Sequence, residues 1–440
     1  MKQNIHPLSR RIDAHCHFFN KQVLTWRLLV DFVQSRIKIP FFAGIDQAGS
    51  RSSRLNEIKR AIHFLKTGLQ SSSEEVYKTL IKSEKEYAVV PLMFDLDYCM
   101  KGAPADLESE IRTFYQEILM QDREELMELT LPNDCINNNA HNDEVETEEL
   151  IRTIDSLLDE EADRLTLITQ EDSFLSQEKQ LAELQAKYPD KVFPFFAVDP
   201  RRKENYTMEN GTYDLSPILD RLFINGGHFY GIKLYAPNGY SPADPLLMAL
   251  YEYCEQHAIP ITAHCSGGGF ASFAKTIPVH GLIYRNNKVE KHDGKLTFQH
   301  YKITDKERVH EKAQLLNHPL IWEKVLEKYP RLKLNLAHLG TSDESGEWSG
   351  HIIRLMKLYS NLYTDFSCMA DKTTLSHIYK TYYAPAGSAI KSRFLYGSDF
   401  YLNMLFTDSM EQYLKLFEHT FTATEMQEIT EINPSRFLAL

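Results

Sequence analysis

Asp13-Ala14-His15-Cys16-His17, inside the apolar run 11–19, is the stretch from which the fold is read. On a β-strand alternate side chains share a face, so this spacing sets Asp13, His15 and His17 on one side, with the histidines nearest the strand's carboxyl end. Two imidazoles placed this way can share one cation. With 17 histidines in 440 residues, an HxH pair is unremarkable alone, and packed, hydrogen-bonded histidines would explain it equally well.

Working outward from this strand changes the balance. Seven further strand-like runs follow, at 87–94, 192–200, 229–236, 260–267, 332–340, 362–369 and 393–400, with helical periodicity between them. Strands alternating with helices imply a parallel sheet with crossovers, and eight of them favour an α/β fold closed as a (β/α)8 TIM barrel. No glycine-rich dinucleotide fingerprint follows the first strand, which argues against an open nucleotide-binding sheet. Helix starts are legible at Asp244-Pro245 and His318-Pro319, and a third crossover helix is expected over 347–359.

In such a barrel all strand carboxyl ends meet at one mouth. His264 ends the fifth run, His338 the sixth and Asp399 the eighth, so they converge with His15 and His17. A purely structural account would have to bury four imidazoles and a carboxylate in one small volume, which is costly unless they are paired. Strict alternation in the sixth run sends Lys333 and Asn335 towards the helices. Lys233, ending the fourth run, is expected to meet an anionic substrate group, to become a carbamate bridging two metals, or to pair with Asp365 or Asp199. Tyr235 leads into a binding loop, and Arg201 is a candidate for a substrate carboxylate against the alternative of ion pairing. Ser266 lacks a nucleophile frame and reads as lining.

Three connections, 20–86, 95–191 and 268–331, are too long for simple βα units and read as insertions after strands one, two and five of a single domain spanning 1–440. Their place at the strands' carboxyl ends makes them the expected source of specificity. Residues 121–164 carry 15 Asp or Glu against 3 Lys or Arg, so this stretch alone accounts for the net charge of −12. It reads as a solvated insertion with a mobile loop at 131–143. The balanced remainder offers no footprint for nucleic acid. No apolar run reaches the ~18 residues of a membrane span. Six cysteines without a CxxC pair and no apolar leader place the chain in the cytoplasm. Assembly as a homodimer is left open.

Taken in order, DAHCH, GIKLY, ITAHC, NLAHLG and YGSDF resemble the amidohydrolase superfamily. The strand Asn361-Leu362-Tyr363-Thr364-Asp365 and the closing Asn433-Pro434-Ser435-Arg436-Phe437-Leu438 are similar to its amidohydrolase-related branch, which includes aminocarboxymuconate-semialdehyde decarboxylase. The resemblance implies His15, His17, His264 and Asp399 as ligands of one divalent ion, with Zn2+ the first choice. It makes Asp399 the proton handler and His338 a catalytic side chain, or a second-site ligand should Lys233 be carbamylated. The expected activity is hydrolysis of a lactone, ester or amide in a small, anionic substrate by metal-activated water. The alternative is non-oxidative decarboxylation of a small unsaturated or aromatic carboxylate.

Overall fold

The computed structural model describes residues 10–23, 51–82, 87–103, 120, 123–124, 151–152, 173–205, 207–209, 212–224, 226–302, 307–341 and 346–440. Each of the eight runs contains a buried parallel strand: β1 Ile12–Cys16, β2 Ala88–Pro91, β3 Phe195–Ala197, β4 Gly231–Leu234, β5 Ile261–Ala263, β6 Leu334–Leu336, β7 Leu362–Asp365 and β8 Phe394–Leu395.

Strands β3 to β8 form one ladder in chain order, and β1 pairs with β2. Two seams join these sheets. Val89 bridges Val192 and Leu92 bridges Phe195, tying β2 to β3, while Cys16 bridges Phe400 beyond β8. Backbone bonds reinforce the second seam, Ala14 N to Tyr396 O at 3.0 Å and Asp399 N to His15 O at 2.7 Å. The ring therefore closes in the order one to eight, the (β/α)8 TIM barrel expected from the strand count.

Phe437, on the C-terminal helix Asn433–Leu438, lies 6.1 Å from the ring of Phe195 and 5.0 Å from that of Tyr363. Strands β3 and β7 stand opposite one another in an eight-strand ring, so a side chain touching both crosses the barrel axis. Ile12, Ala14, Val90 and Leu395 join the same buried cluster. An apolar plug thus fills the end away from the strands' carboxyl termini.

The crossover helices start where the caps predict. Asp244 Oδ1 accepts from Leu246 N at 2.9 Å, ahead of the turn Pro245–Leu247 and the helix Met248–His257. His318 Nδ1 accepts from Leu320 N at 3.2 Å and opens Pro319–Lys328, which buries Trp322, Val325 and Leu326. The third is Glu347–Leu358.

Alternation fails at two points. The β1–β2 register shifts between Asp13 and Cys16, inside DAHCH itself. Asp13 is spent on latching β1 to β8: it accepts from His15 N at 3.1 Å, from Ser398 N at 2.9 Å and from the Ser398 hydroxyl. In β6, Lys333 does reach the C-terminal helix, donating to Arg436 O at 3.2 Å, but Asn335 donates to Asp365 Oδ2 at 2.7 Å. The Asp365 carboxylate draws the amide into the polar cluster.

Between β5 and β6 the chain forms a long antiparallel hairpin, Thr276–Arg285 with Lys288–Thr297, which the spacing analysis does not anticipate. Its turn residues Asn286 and Asn287 have φ of 52° and 58°, the left-handed pair of a type I′ turn that asparagine tolerates. A short hairpin, Thr207–Glu209 with Thr212–Asp214, follows β3. The loop 131–143 lies outside the described residues, as does the acidic stretch 121–164 apart from residues 123–124 and 151–152.

Candidate metal centre and its cleft

His15, His17, His264, His338 and Asp399 are all buried and gather at the strands' carboxyl ends. His15, His17 and Asp399 offer ligand atoms within 4.8 Å of one another. Asp399 Oδ1 lies 3.5 Å from His15 Nε2 and 3.3 Å from His17 Nε2. Partners behind the rings set the tautomers. His15 Nδ1 donates to Asp365 Oδ2 at 3.0 Å and His17 Nδ1 donates to Leu92 O at 2.9 Å. Since a carboxylate and a carbonyl only accept, the protons sit on Nδ1 and both Nε2 lone pairs face Asp399. His15 Nε2 is buried with no hydrogen-bond partner, a vacancy that a cation would fill.

His264 is built the other way round. Its Nε2 donates to Gly268 O at 2.8 Å, which leaves Nδ1 as the lone pair, 3.1 Å from His338 Nε2. Tyr235 fixes this ring by stacking on it at 4.3 Å, and its hydroxyl accepts from Phe270 N at 2.6 Å. Gly269, with φ of 105°, is the residue this loop demands, because a Cβ there would sit 2.3 Å from the Tyr235 hydroxyl.

His338 and Asp399 hold left-handed backbone, φ 65° and 56°, costing on the order of 1–3 kcal/mol each for such residues. Specific bonds hold that strain: His338 N donates to Asp365 Oδ1 at 2.9 Å, and Asp399 N to the His15 carbonyl. Sharp reversals directly after β6 and β8 turn both side chains into the mouth.

The charges are those of a cation site. Burial, aided by the nearby Lys233 charge, pushes His15 down to about 3 and keeps it neutral. His264 is depressed by burial and by His338, and His338 by burial against the pull of Asp399 and Asp365. Burial alone would raise Asp399, but the close approach of His17 and the neighbouring imidazoles hold it well below the carboxylate range, so it is ionised. Neutral imidazole nitrogens with one carboxylate form a donor set suited to a divalent transition metal.

A cleft of about 510 Å3 opens over this group. His17, His264, His338 and Asp399 supply its polar floor, and Phe19, Phe94, Tyr235 and Phe270 an aromatic wall. Ser266 lines the cleft too, as expected, with its hydroxyl 3.2 Å from His264 Nε2. Lys233 lines instead an adjoining cavity of about 180 Å3, which shares Phe94 and Tyr235 with the cleft. Its ammonium is buried and unpartnered, pairing with neither Asp365 nor Asp199. Burial lowers it to about 8, against the pull of Asp365 and Asp399. Arg201 does not line the cleft; its guanidinium holds Asp199 through Nε at 2.8 Å and Nη2 at 2.6 Å. Asp365, which sequence reasoning raised only as a possible partner of Lys233, and Ser367, which it left without a role, stand at the centre of the hydrogen-bond network. The only forward signal was that the seventh strand ends in a carboxylate.

A parallel eight-stranded barrel with histidines and an aspartate at its mouth defines a metal-dependent barrel enzyme. The chain belongs to the amidohydrolase family, whose family model matches residues 12–440. Among solved structures, it is similar to 2,6-dihydroxybenzoate decarboxylase from Rhizobium, at 11% identity and TM-score 0.46 over 98% of each chain. It is also similar to 5-carboxyvanillate decarboxylase from Novosphingobium aromaticivorans, solved with bound manganese, at 11% identity and TM-score 0.46 over 99% of this chain and 98% of that one. Among curated proteins, none matches the chain. No described helix is long and apolar enough to cross a membrane.

Proposed function

We propose that this chain is a metal-dependent, non-oxidative decarboxylase of a small aromatic or unsaturated carboxylate. The observation that carries the reading is the aromatic wall standing directly on the polar floor. Phe94 meets Tyr235 edge-on at 4.4 Å and stacks with Phe270 at 5.5 Å, while Phe19 stacks on His17 at 4.8 Å, surfaces that suit a flat substrate. Lys233, charged at neutral pH, exerts its field on His15, His264 and His338 and so favours an anion on that floor. Arg201 would serve the same anion only by giving up Asp199.

His15 Nε2, His17 Nε2, His264 Nδ1 and Asp399 would hold one divalent ion, Zn2+ or Mn2+ among those such donors accept. When bound, that ion supplies an electrophile that orients the substrate's oxygens. Asp399 and His338 are both unprotonated at rest, so the proton to be placed on carbon arrives with the substrate, from an acidic hydroxyl, and is carried by Asp399. The carbon–carbon bond to the carboxylate breaks, CO2 leaves, and the vacated carbon keeps the electron pair and takes that proton. His338 borders the cleft and hydrogen-bonds the substrate.

One observation favours the second reading, hydrolysis: an ionised Asp399 at rest equally suits a base that takes a proton from water attacking a lactone, ester or amide. We read the chain as one domain, with 20–86, 95–191 and 268–331 as insertions that set specificity. None of the five described cysteines forms a disulfide, and we place the chain in a reducing cytoplasm. Incubating the protein with a panel of hydroxybenzoates and unsaturated carboxylates in D2O separates the two readings. Decarboxylation releases CO2 and leaves one deuterium at the vacated carbon. Ring opening or ester cleavage with oxygen taken from 18O-water, and no CO2, would replace it by hydrolysis.

A further inference from the structure

The carboxylate of Asp365 is the most heavily engaged group in the barrel mouth. His15 Nδ1 donates to its Oδ2 at 3.0 Å and Asn335 Nδ2 to the same oxygen at 2.7 Å. Its Oδ1 accepts from His338 N at 2.9 Å and from Ser367 N at 3.1 Å. These four N–H donors take up the roughly four lone-pair sites of a carboxylate, and the Ser367 hydroxyl closes on it as well. The group is 0% exposed.

His15, His338 and Asp365 also form a compact trio within 4.8 Å, which by distance alone would pass for a second metal site. The hydrogen bonds exclude that use. A carboxylate whose lone pairs are filled by N–H groups has none to give a cation, and His15 has one lone pair only, on Nε2, turned towards Asp399.

We infer that Asp365 is the positioning residue of the metal centre, which selects His15 as an Nε2 donor and restricts the mouth to one ion. The same carboxylate pins the left-handed backbone of His338 through its amide. Ser367 extends the hold, with its Oγ 2.8 Å from His338 Nδ1 and 3.2 Å from His15 Nδ1. Asp365 touches no space in the cleft, so it acts through these two imidazoles. The inference rests on the family's metal dependence and not on which bond the enzyme breaks.

Two measurements test it without reference to turnover. In wild-type, metal-free protein with 15N-labelled histidine, His15 should carry its proton on Nδ1, with an unprotonated Nε2. The Asp365→Asn variant presents an N–H to His15 Nδ1 and so favours the opposite tautomer. It should bind Mn2+ or Zn2+ about 10- to 100-fold more weakly in calorimetric titration, at unchanged stoichiometry. Ser367→Ala keeps Asp365 in place and should weaken metal binding less than Asp365→Asn does, since the carboxylate that accepts the His15 proton remains. An Nε2-protonated His15 in the wild type would overturn the inference even if Asp365→Asn does not fold. So would wild-type metal affinity in that variant, or a wild-type stoichiometry of two that falls to one. A chain that binds metal as described yet hydrolyses its substrate would refute the decarboxylase reading and leave this one standing.

Discussion

The two ends of this barrel are built from the same eight strands and from opposite materials. At the lower end, Phe437 closes on Phe195 and Tyr363 in a cluster that is apolar apart from the tyrosine hydroxyl and holds no charged side chain. At the upper end, four imidazoles and two aspartates are buried together, with left-handed backbone at His338 and Asp399, an unpartnered His15 Nε2 and an unpartnered Lys233 ammonium. Apolar burial contributes stability in proportion to area, whereas buried polar groups cost free energy until they are paired. The lower plug therefore offsets what the mouth costs, and perturbations at the two ends should separate cleanly into stability and function.

The sharpest way to break this division is at Asp399. Asp399→Asn removes the proton carrier and one proposed ligand oxygen, and turnover should fall ~100- to 10,000-fold, the range for general acid–base groups. Because its surroundings favour the ionised carboxylate, the thermal midpoint of metal-free protein should fall, but by less than the loss of an apolar plug residue causes. A large loss of metal-free stability would mean that the mouth is structural after all.

The complementary change is Phe437→Ala, which opens a cavity across the axis. Its cost should be about 3–5 kcal/mol in denaturant unfolding. Metal affinity per folded molecule should not change. Weakened metal binding in the folded fraction would show that plug and mouth are coupled.

Lys233 gives a smaller effect with a pH signature. Because burial depresses it to about 8, the ammonium is present below that pH and lost above it. KM for a carboxylate substrate should rise as pH passes through about 8, and Lys233→Met should show a raised, pH-flat KM while keeping one ion per chain. For stability the sign is opposite: from about 8 to the unfolded value near 10.4 the unfolded chain still binds the proton, so wild type gains stability with pH. Loss of half the metal in Lys233→Met would point to a carbamate instead. Replacing residues 131–143 by a Gly/Ser linker should change least, leaving metal content and melting temperature as they are.

Much of this division is legible in the chain itself. Strand ends are readable because a (β/α)8 barrel needs short apolar runs, and each of the eight runs carries its strand. Convergence of His15, His17, His264, His338 and Asp399 follows from the shared direction of those strands. Asp365 and Ser367 are a different matter, because their role arises from contacts with His15, 350 and 352 residues away in the chain, and no local pattern encodes that. Asn335 misled through strict alternation, which a carboxylate across the ladder overrode. The Asn286-Asn287 pair is a usable hairpin signal that lies inside a long connection. The aromatic wall draws Phe19, Phe94, Tyr235 and Phe270 from loops after separate strands, so it emerges only with the closed ring.

The central claim, that the strand-end histidines and Asp399 hold one catalytic ion, is tested most directly by metal content. Wild-type chain, dialysed and reloaded with Mn2+ or Zn2+, should retain close to one ion, and the His15→Ala/His17→Ala double variant should lose most of it while keeping its far-ultraviolet circular dichroism. Full retention of the ion in a folded double variant would contradict the account.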